Sequence, residues 1–351
     1  MSAVAASIRP PFRPAPIIIG VVGCALLAVW GIFAPRGVLQ GWLIAFVIAG
    51  GLPLGSLVLL CIARLTGGCW TVAASPLLLR VVAATPVLCL AFLPVLAGAD
   101  LIFPWALDEG AAGKNVADWY LNTGFFALRG GAALIGLSAV SVLLILGRGG
   151  RLLAALGLVL YAVAVDFTSV DWMLSLAPRF SSSAFGAEMA IQQILCAFAL
   201  TLVVPVSRRE DISRDLAGLT LAAALGVFYM ATMSLIVNWY GDQPDRAAWY
   251  LERVAGAWLW VALGTLVLCA IAPIVALLFA NIRRSPEALR IVGASILLGV
   301  ALHDIWLIAP DAAPVAAPAA LPALAAIAGL SLAFSKWLGI RLSQREPRDG
   351  D

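Results

Sequence analysis

Glu188 and Gln192 stand four residues apart in an apolar stretch, so a helix there carries both on one face. Ionisable side chains within apolar runs are costly, which makes each a functional candidate. An acid and an amide on one helix face can relay protons or bond to a quinone oxygen. The competing reading is a hydrogen bond between packed helices, and for Gln192 and Gln193 it is the better one. His303 and Asp304 end a second apolar run, ahead of Trp306 and Pro310, and Asp166 and Asp171 end a third. Acids at such ends suit proton uptake or release, and they also sit comfortably at a water interface. His303 and Asp304 are adjacent, so they point in different directions on a helix and need not pair. Arg129 lies a turn or two inside a fourth run. It can snorkel outward or pair with an acid such as Asp118 or Glu188. Gln192, Arg129 and Trp172 are candidates either for touching a quinone or for packing. No residue is assigned a catalytic role.

Metal chemistry finds little support. His303 is the single histidine, and a membrane b-type haem takes two axial ligands, commonly a His pair. The six cysteines, Cys24, Cys61, Cys69, Cys89, Cys196 and Cys269, form no C-x-x-C pair, and most lie in apolar runs where Cys acts as a small hydrophobe. The expectation is a chain with no metal of its own, whose redox centres, if any, belong to partners. No basic patch with interleaved aromatics points to nucleic acid.

These residues sit in a chain of 351 residues that is 63% hydrophobic and 12% charged, with a mean hydropathy of +1.02 and a net charge of +3. Soluble domains carry roughly 25% charged residues. The fold class is therefore an all-α membrane protein with the lipid bilayer as its first partner. A span needs about 20 apolar residues, and ten segments qualify. They are predicted near Ala15–Phe33, Gly41–Leu65, Pro76–Ala97, Trp119–Leu146, Leu152–Val170, Ser183–Val206, Leu216–Trp239, Ala255–Ala280, Ala288–Ile308 and Val315–Leu338. In the first, behind Arg9 and Arg13, Val21-Val22-Gly23-Cys24 faintly resembles a lipoprotein cleavage box. The apolar run continues to Phe33, which favours a membrane helix.

Sidedness follows from Lys and Arg. The N-terminus (Arg9, Arg13), the even-numbered connections (Arg64, Arg80, Arg148, Arg151, Arg208, Arg209, Arg214, Arg283, Arg284, Arg290) and the tail (Lys336, Arg341, Arg345, Arg348) hold sixteen of the 22 basic residues. The opposite side holds Arg36, Lys114, Arg129, Arg179, Arg246 and Arg253, with Asp100, Asp108, Glu109, Asp118, Asp242, Asp245 and Asp311. Both termini are expected in the cytoplasm of a cell with a bacterial-type inner membrane.

An internal repeat is suggested by Trp119-Tyr120-Leu121 and Trp249-Tyr250-Leu251, and by Trp42 and Trp172, each pair offset by 130 residues. Such an offset spans four helices and preserves orientation, as in parallel repeats. The competing explanation is that Trp and Tyr gather at membrane interfaces anyway. The predicted organisation is residues 1–38 for the tail and first flanking helix, 39–170 and 171–310 for two four-helix bundles, and 311–351 for the last helix and tail.

Several segments go further. They are Leu54-Gly55-Ser56-Leu57-Val58-Leu59-Leu60 with Leu65-Thr66-Gly67-Gly68, and Asp171-Trp172-Met173-Leu174-Ser175-Leu176-Ala177-Pro178 with Phe180-Ser181-Ser182 and Phe185-Gly186. Trp249-Tyr250-Leu251 and Asp304-Ile305-Trp306-Leu307-Ile308-Ala309-Pro310 complete the set. Together, from about Gly41 to Pro310, the chain resembles the polysulfide reductase/NrfD-like membrane subunits of alternative complex III, in particular the second, quinone-binding type of subunit. The resemblance implies two four-helix bundles with flanking helices. It also implies a place in a quinol:cytochrome c oxidoreductase of the respiratory chain, beside haem c and iron–sulfur subunits and a homologous membrane subunit. The implied role is proton translocation or quinone association, without a catalytic metal. Where such subunits often carry a His pair before Leu-Thr-Gly-Gly, this chain has Ala63-Arg64, and where a His often follows the Asp-Trp motif's Pro, it has Arg179. From the residues alone, a secondary transporter and a purely structural anchor for redox subunits are the alternatives.

Overall fold

The computed structural model describes residues 14–107, 119–177, 180–207, 209–241 and 244–343, the side chains of residues 245 and 339–343 excepted. Among them there is no strand, and ten helical segments are long and apolar enough to cross a membrane. The protein is a multi-pass integral membrane protein, as the composition requires. Lipid offers no hydrogen bonds, so each crossing backbone must satisfy itself as a helix.

Helix α1 (Ala15–Phe33) is followed at once by α2 (Pro35–Thr66), whose first residue is the proline that opens helices well. Gly67 ends α2 with φ +72°, a conformation that favours glycine. The third span is two helices, α3 (Cys69–Val82) and α4 (Thr85–Ala97). The break at Ala83–Ala84 falls where Pro86 cannot supply a backbone N–H. Two single-turn helices follow, α5 (Ala99–Ile102) and α6 (Pro104–Leu107). The next crossings are α7 (Thr123–Ile145), α8 (Arg151–Trp172), α9 (Phe185–Val203) and α10 (Glu210–Tyr240). A short helix, α11 (Pro244–Arg253), precedes the eighth crossing, made of α12 (Trp258–Thr265), a π-helical turn (Leu266–Ile271) and α13 (Ala272–Leu278). After α14 (Ala280–Arg284), α15 (Pro286–Ile308) and α16 (Ala316–Ser343) complete the ten.

Three sequence expectations change here. Arg80 lies eleven residues into α3, on its exposed face, and not in a connection. The long stem of an arginine lets its charge reach the interface from there. Trp42, expected to open the second span, lies within α2, whereas Trp172 ends α8 and so precedes the sixth crossing as expected. Trp119-Tyr120 precedes α7, where Asn122 caps the helix by accepting from Phe125 N at 2.8 Å, and Trp249-Tyr250 belongs to α11, ahead of its crossing. Arg9, Arg13, Lys114, Arg179, Arg208, Arg345 and Arg348 lie outside the described residues, as do Asp108, Glu109, Asp118 and Asp242.

The helices pack in two groups. In the first, α2 contacts α3, α4 and α8, while α4 packs on α7 and α7 on α8. In the second, α9 contacts α10 and α15, with α12, the π turn and α13 against α15. The groups meet where α2 and α8 touch α9, and α1 and α16 pair with each other against α2. At the basic end of the first group, Arg64 donates to Gly149 O (2.8 Å) and Leu144 O (3.0 Å), and Arg151 donates to Leu65 O (2.7 Å). These cations satisfy carbonyls that the helix ends leave unpaired.

Close approach of α2 and α9 depends on Gly55, where an added Cβ would stand 1.8 Å from Gln193 O. Gly55→Ala is expected to push the two groups apart and lower stability by about 3 kcal/mol or more, beyond ordinary overpacking. A denaturation midpoint of the purified variant equal to wild type would show that the seam yields freely.

Candidate functional site

The first group has a tightly packed interior, with one small void of about 20 Å3 beside Phe46 and Trp172. Phe46, Phe92 and Trp172 stack or cross at centroid distances of 4.8 to 5.8 Å, and Phe126 joins Phe92, Phe103 and Trp105. Trp172 packs in this cluster, and its Nε1 is buried without a hydrogen-bond partner among the described residues. Arg129 is clamped beside it. Its Nε and Nη2 donate to Asp171 Oδ2 and Oδ1, both at 2.8 Å, and Nη1 donates to Tyr120 O at 2.9 Å. The guanidinium also lies 3.9 Å from the Tyr120 ring centroid. Arg129 therefore neither snorkels nor pairs with Glu188, and Asp118 is outside the described residues. The partner lies 42 residues ahead, where α8 brings Asp171 level with the second turn of α7. Burial and the Asp171 carboxylate push the Tyr120 phenol up to about 12. Asp166 is exposed, against Gly186 at the start of α9.

The second group encloses a cavity of about 370 Å3, within the size range of small-molecule sites. Three candidates from two parts of the chain face it: Glu188 and Gln192 from α9 and His303 from α15. Asp304 is behind this wall. Gln192 Nε2 donates to Asp304 Oδ1 at 2.7 Å, and both residues are buried. The adjacent pair His303 and Asp304 thus diverges, one toward the cavity and one toward α9. The remaining lining is mostly apolar, including Phe185, Val227, Leu266 and Leu307.

Local geometry accounts for the space. The π turn widens the eighth crossing and presents Leu266, Cys269 and Ala270 to the cavity. Inserted turns of this kind are frequent at functional sites. It is held against α15 because residue 299 is glycine, where an added Cβ would stand 2.5 Å from Cys269 N. Helix α12 packs on α15 and the π turn but hardly touches α10, so the cavity occupies the space between α10 and α12.

Helix α11 roofs one end of the cavity. Trp249 stacks on Phe180 at 4.1 Å, and the Tyr250 hydroxyl meets Ser234 Oγ at 2.9 Å. Burial holds the Tyr250 phenol above its usual range, so at neutral pH it remains a neutral hydrogen-bonding group. Arg253, stacked 3.8 Å from the Trp249 ring centroid, is ion-paired with Asp311, and Trp306 Nε1 donates to Arg253 O at 2.8 Å. Sequence reading counted Arg253 and Asp311 only as charges of one side. Their pairing spans 58 residues and leaves no periodic signal, Tyr250 stands out only as part of a Trp-Tyr-Leu repeat, and Thr265 carries no signal. The amphipathic pattern of α11 was the available clue.

Three polar atoms around the cavity, His303 Nδ1, Thr265 Oγ1 and Trp249 Nε1, are buried without a hydrogen-bond partner among the described residues. Each such group costs roughly 1–3 kcal/mol when left unmade. An amphiphilic ligand that offers oxygens to them gains correspondingly. The arrangement combines an apolar slot, an acid (Glu188), an imidazole and an amide already oriented by Asp304.

No family model matches this chain, and no curated protein matches it.

Proposed function

We propose that this chain is a membrane subunit of a quinol:cytochrome c oxidoreductase of the alternative complex III type, and that its second helix group receives the quinone headgroup. The observation that carries this reading is the cavity where Glu188, Gln192 and His303 converge in a mostly apolar lining. A quinone ring with a lipid tail matches such a slot. Its oxygens find donors, its tail finds the apolar gap between α10 and α12, and the bilayer supplies it sideways. Oxidation of a quinol releases two protons and two electrons. Glu188 is the group positioned to accept the proton of one ring hydroxyl and the His303 imidazole that of the other, with Gln192 bonding to a ring oxygen. The electrons leave to haem c and iron–sulfur centres on partner subunits. The polysulfide reductase/NrfD-like motifs around Asp171-Trp172 and Asp304-Ile305-Trp306 support the same assignment.

In this reading both termini face the cytoplasm of a bacterial inner membrane, as the Arg-rich ends of α2, α8 and α15 favour. The direct test is labelling in native membranes with a photoactivatable quinone analogue. Cross-links are expected on α9, α10 and α12 peptides, with excess natural quinone protecting them. Replacing Ala231, which lines the cavity, by Phe should fill the slot and reduce labelling at least tenfold. Labelling confined to α1 and α16, or indifferent to Ala231→Phe, would remove the quinone role and leave a structural anchor. Saturable uptake of a water-soluble solute by the protein alone in vesicles would instead establish a transporter.

A further inference from the structure

A second cavity, about 460 Å3, opens at the other end of the second helix group, between the α9–α10 junction and the start of α15. We propose that it binds a phosphate-ester anion, the headgroup of an anionic phospholipid or a soluble phosphate. Arg284 and Arg290 line it together with the hydroxyl-bearing Ser207 and Ser213. Arg290 is exposed and makes no ion pair or hydrogen bond among the described residues. Arg284 is held only by Glu210, at 3.1 Å, and both side chains are about three-fifths exposed (62% and 60%). Pairs so exposed are weak and readily exchanged. On α14, Arg283 has its Nε buried and unpartnered. Two long helices, α10 and α15, begin here and turn their positive ends toward this side. Glu210, Asp211 and Glu287 in their first turns offset part of that field, and Arg209 is engaged by Asp211 at 2.6 Å. Among the described residues that line the cavity, Arg290 is the cation without an ion pair.

The floor is apolar, made by Leu202, Val206, Leu216 and Leu289. Basic pockets between membrane helices on the side rich in Lys and Arg suit anionic lipid headgroups. A rim of arginine and hydroxyl above an aliphatic floor is that chemistry. The site is separate from the quinone cavity and does not depend on its assignment.

The test uses the purified protein in detergent, with its partners if they co-purify. Phosphatidylglycerol, phosphatidylcholine and inorganic phosphate are compared by native mass spectrometry and thermal melting. Wild type is expected to bind phosphatidylglycerol at least tenfold tighter than phosphatidylcholine, with a rise in Tm. The Arg284→Gln/Arg290→Gln variant should lose about tenfold or more of that preference. Glu210→Gln, which frees Arg284, should strengthen binding, a gain that misfolding cannot mimic. Millimolar phosphate that raises Tm and displaces the lipid identifies a soluble anion as the occupant. Equal binding of both lipids with no response to phosphate, or a preference unchanged in both variants, overturns the proposal.

Discussion

Replacing Glu188 by Gln is expected to lower quinol oxidation by the assembled membrane complex about 10²–10⁴-fold, the usual worth of a positioned general base. The substitution preserves the shape of the side chain and its place on α9 next to Gln192. It removes only the ability to take a proton. Binding of a quinone analogue should therefore persist within a few-fold, because the amide still hydrogen-bonds a ring oxygen. Gln192→Leu is expected to behave differently. It removes the donor to Asp304 Oδ1, leaving a buried carboxylate unpartnered, and should reduce both binding and protein stability. Steady-state turnover and analogue binding on the same preparations separate the two effects. A Glu188→Gln complex that turns over within twofold of wild type would take Glu188 out of the proton path, whatever the cavity binds.

The two helix groups divide their labour. In the first, Phe46, Phe92, Phe126, Trp105 and Trp172 fill the interior, and an arginine–aspartate clamp closes one end. In the second, the corresponding interior is open, with a π turn and α11 shaping the void. Both groups nevertheless use one device at that end. Arg129 pairs with Asp171 over the Tyr120 ring, and Arg253 pairs with Asp311 over the Trp249 ring. Each clamp ties a segment containing a Trp-Tyr pair to the far end of its group's last crossing. This contrast in packing is why the proposed binding role is assigned to the second group, whose cavity of about 370 Å3 far exceeds the void of about 20 Å3 in the first.

Most of the helical layout was readable because bilayer thickness fixes span length and the hydrocarbon excludes charge. Ala15–Phe33 was read to the residue, and the π turn was not read at all, since its place depends on how Gly299 of α15 admits the backbone at Cys269. The site was half legible. Glu188 and Gln192 share a face through local periodicity, which sequence displays. That His303 joins them, while Asp304 turns to Gln192 across 112 residues, depends on how α9 and α15 are docked. Arg129 shows the same limit. Sequence offers snorkelling or an acid such as Asp118 or Glu188, and the pairing with Asp171 depends on the packing of α7 on α8.

That clamp carries the second large expected effect. Arg129→Leu removes the only cation on Asp171 among the described residues and leaves a carboxylate that is 1% exposed without its bidentate partner. Breaking one side of a buried ion pair costs about 3–5 kcal/mol, so the variant should unfold at markedly lower denaturant or temperature. Asp171→Asn should cost less. The guanidinium keeps its bond to Tyr120 O and its place over the Tyr120 and Phe125 rings, and the amide still offers one acceptor oxygen. Removing both charges, as Arg129→Leu with Asp171→Leu, should recover part of the loss, since an apolar pair of similar volume avoids the desolvation that each charge incurs. The exposed pair Arg209–Asp211, also joined by two hydrogen bonds, is the control: its removal should leave the melting midpoint unchanged, because solvent screens it. The ordering is the decisive result. If Arg129→Leu melts with the control and the double variant shows no recovery, Asp171 is satisfied some other way. If the single change collapses the protein and the paired change restores it, the clamp fixes α8 against α7, and through α8 holds the wall on which α9 presents Glu188.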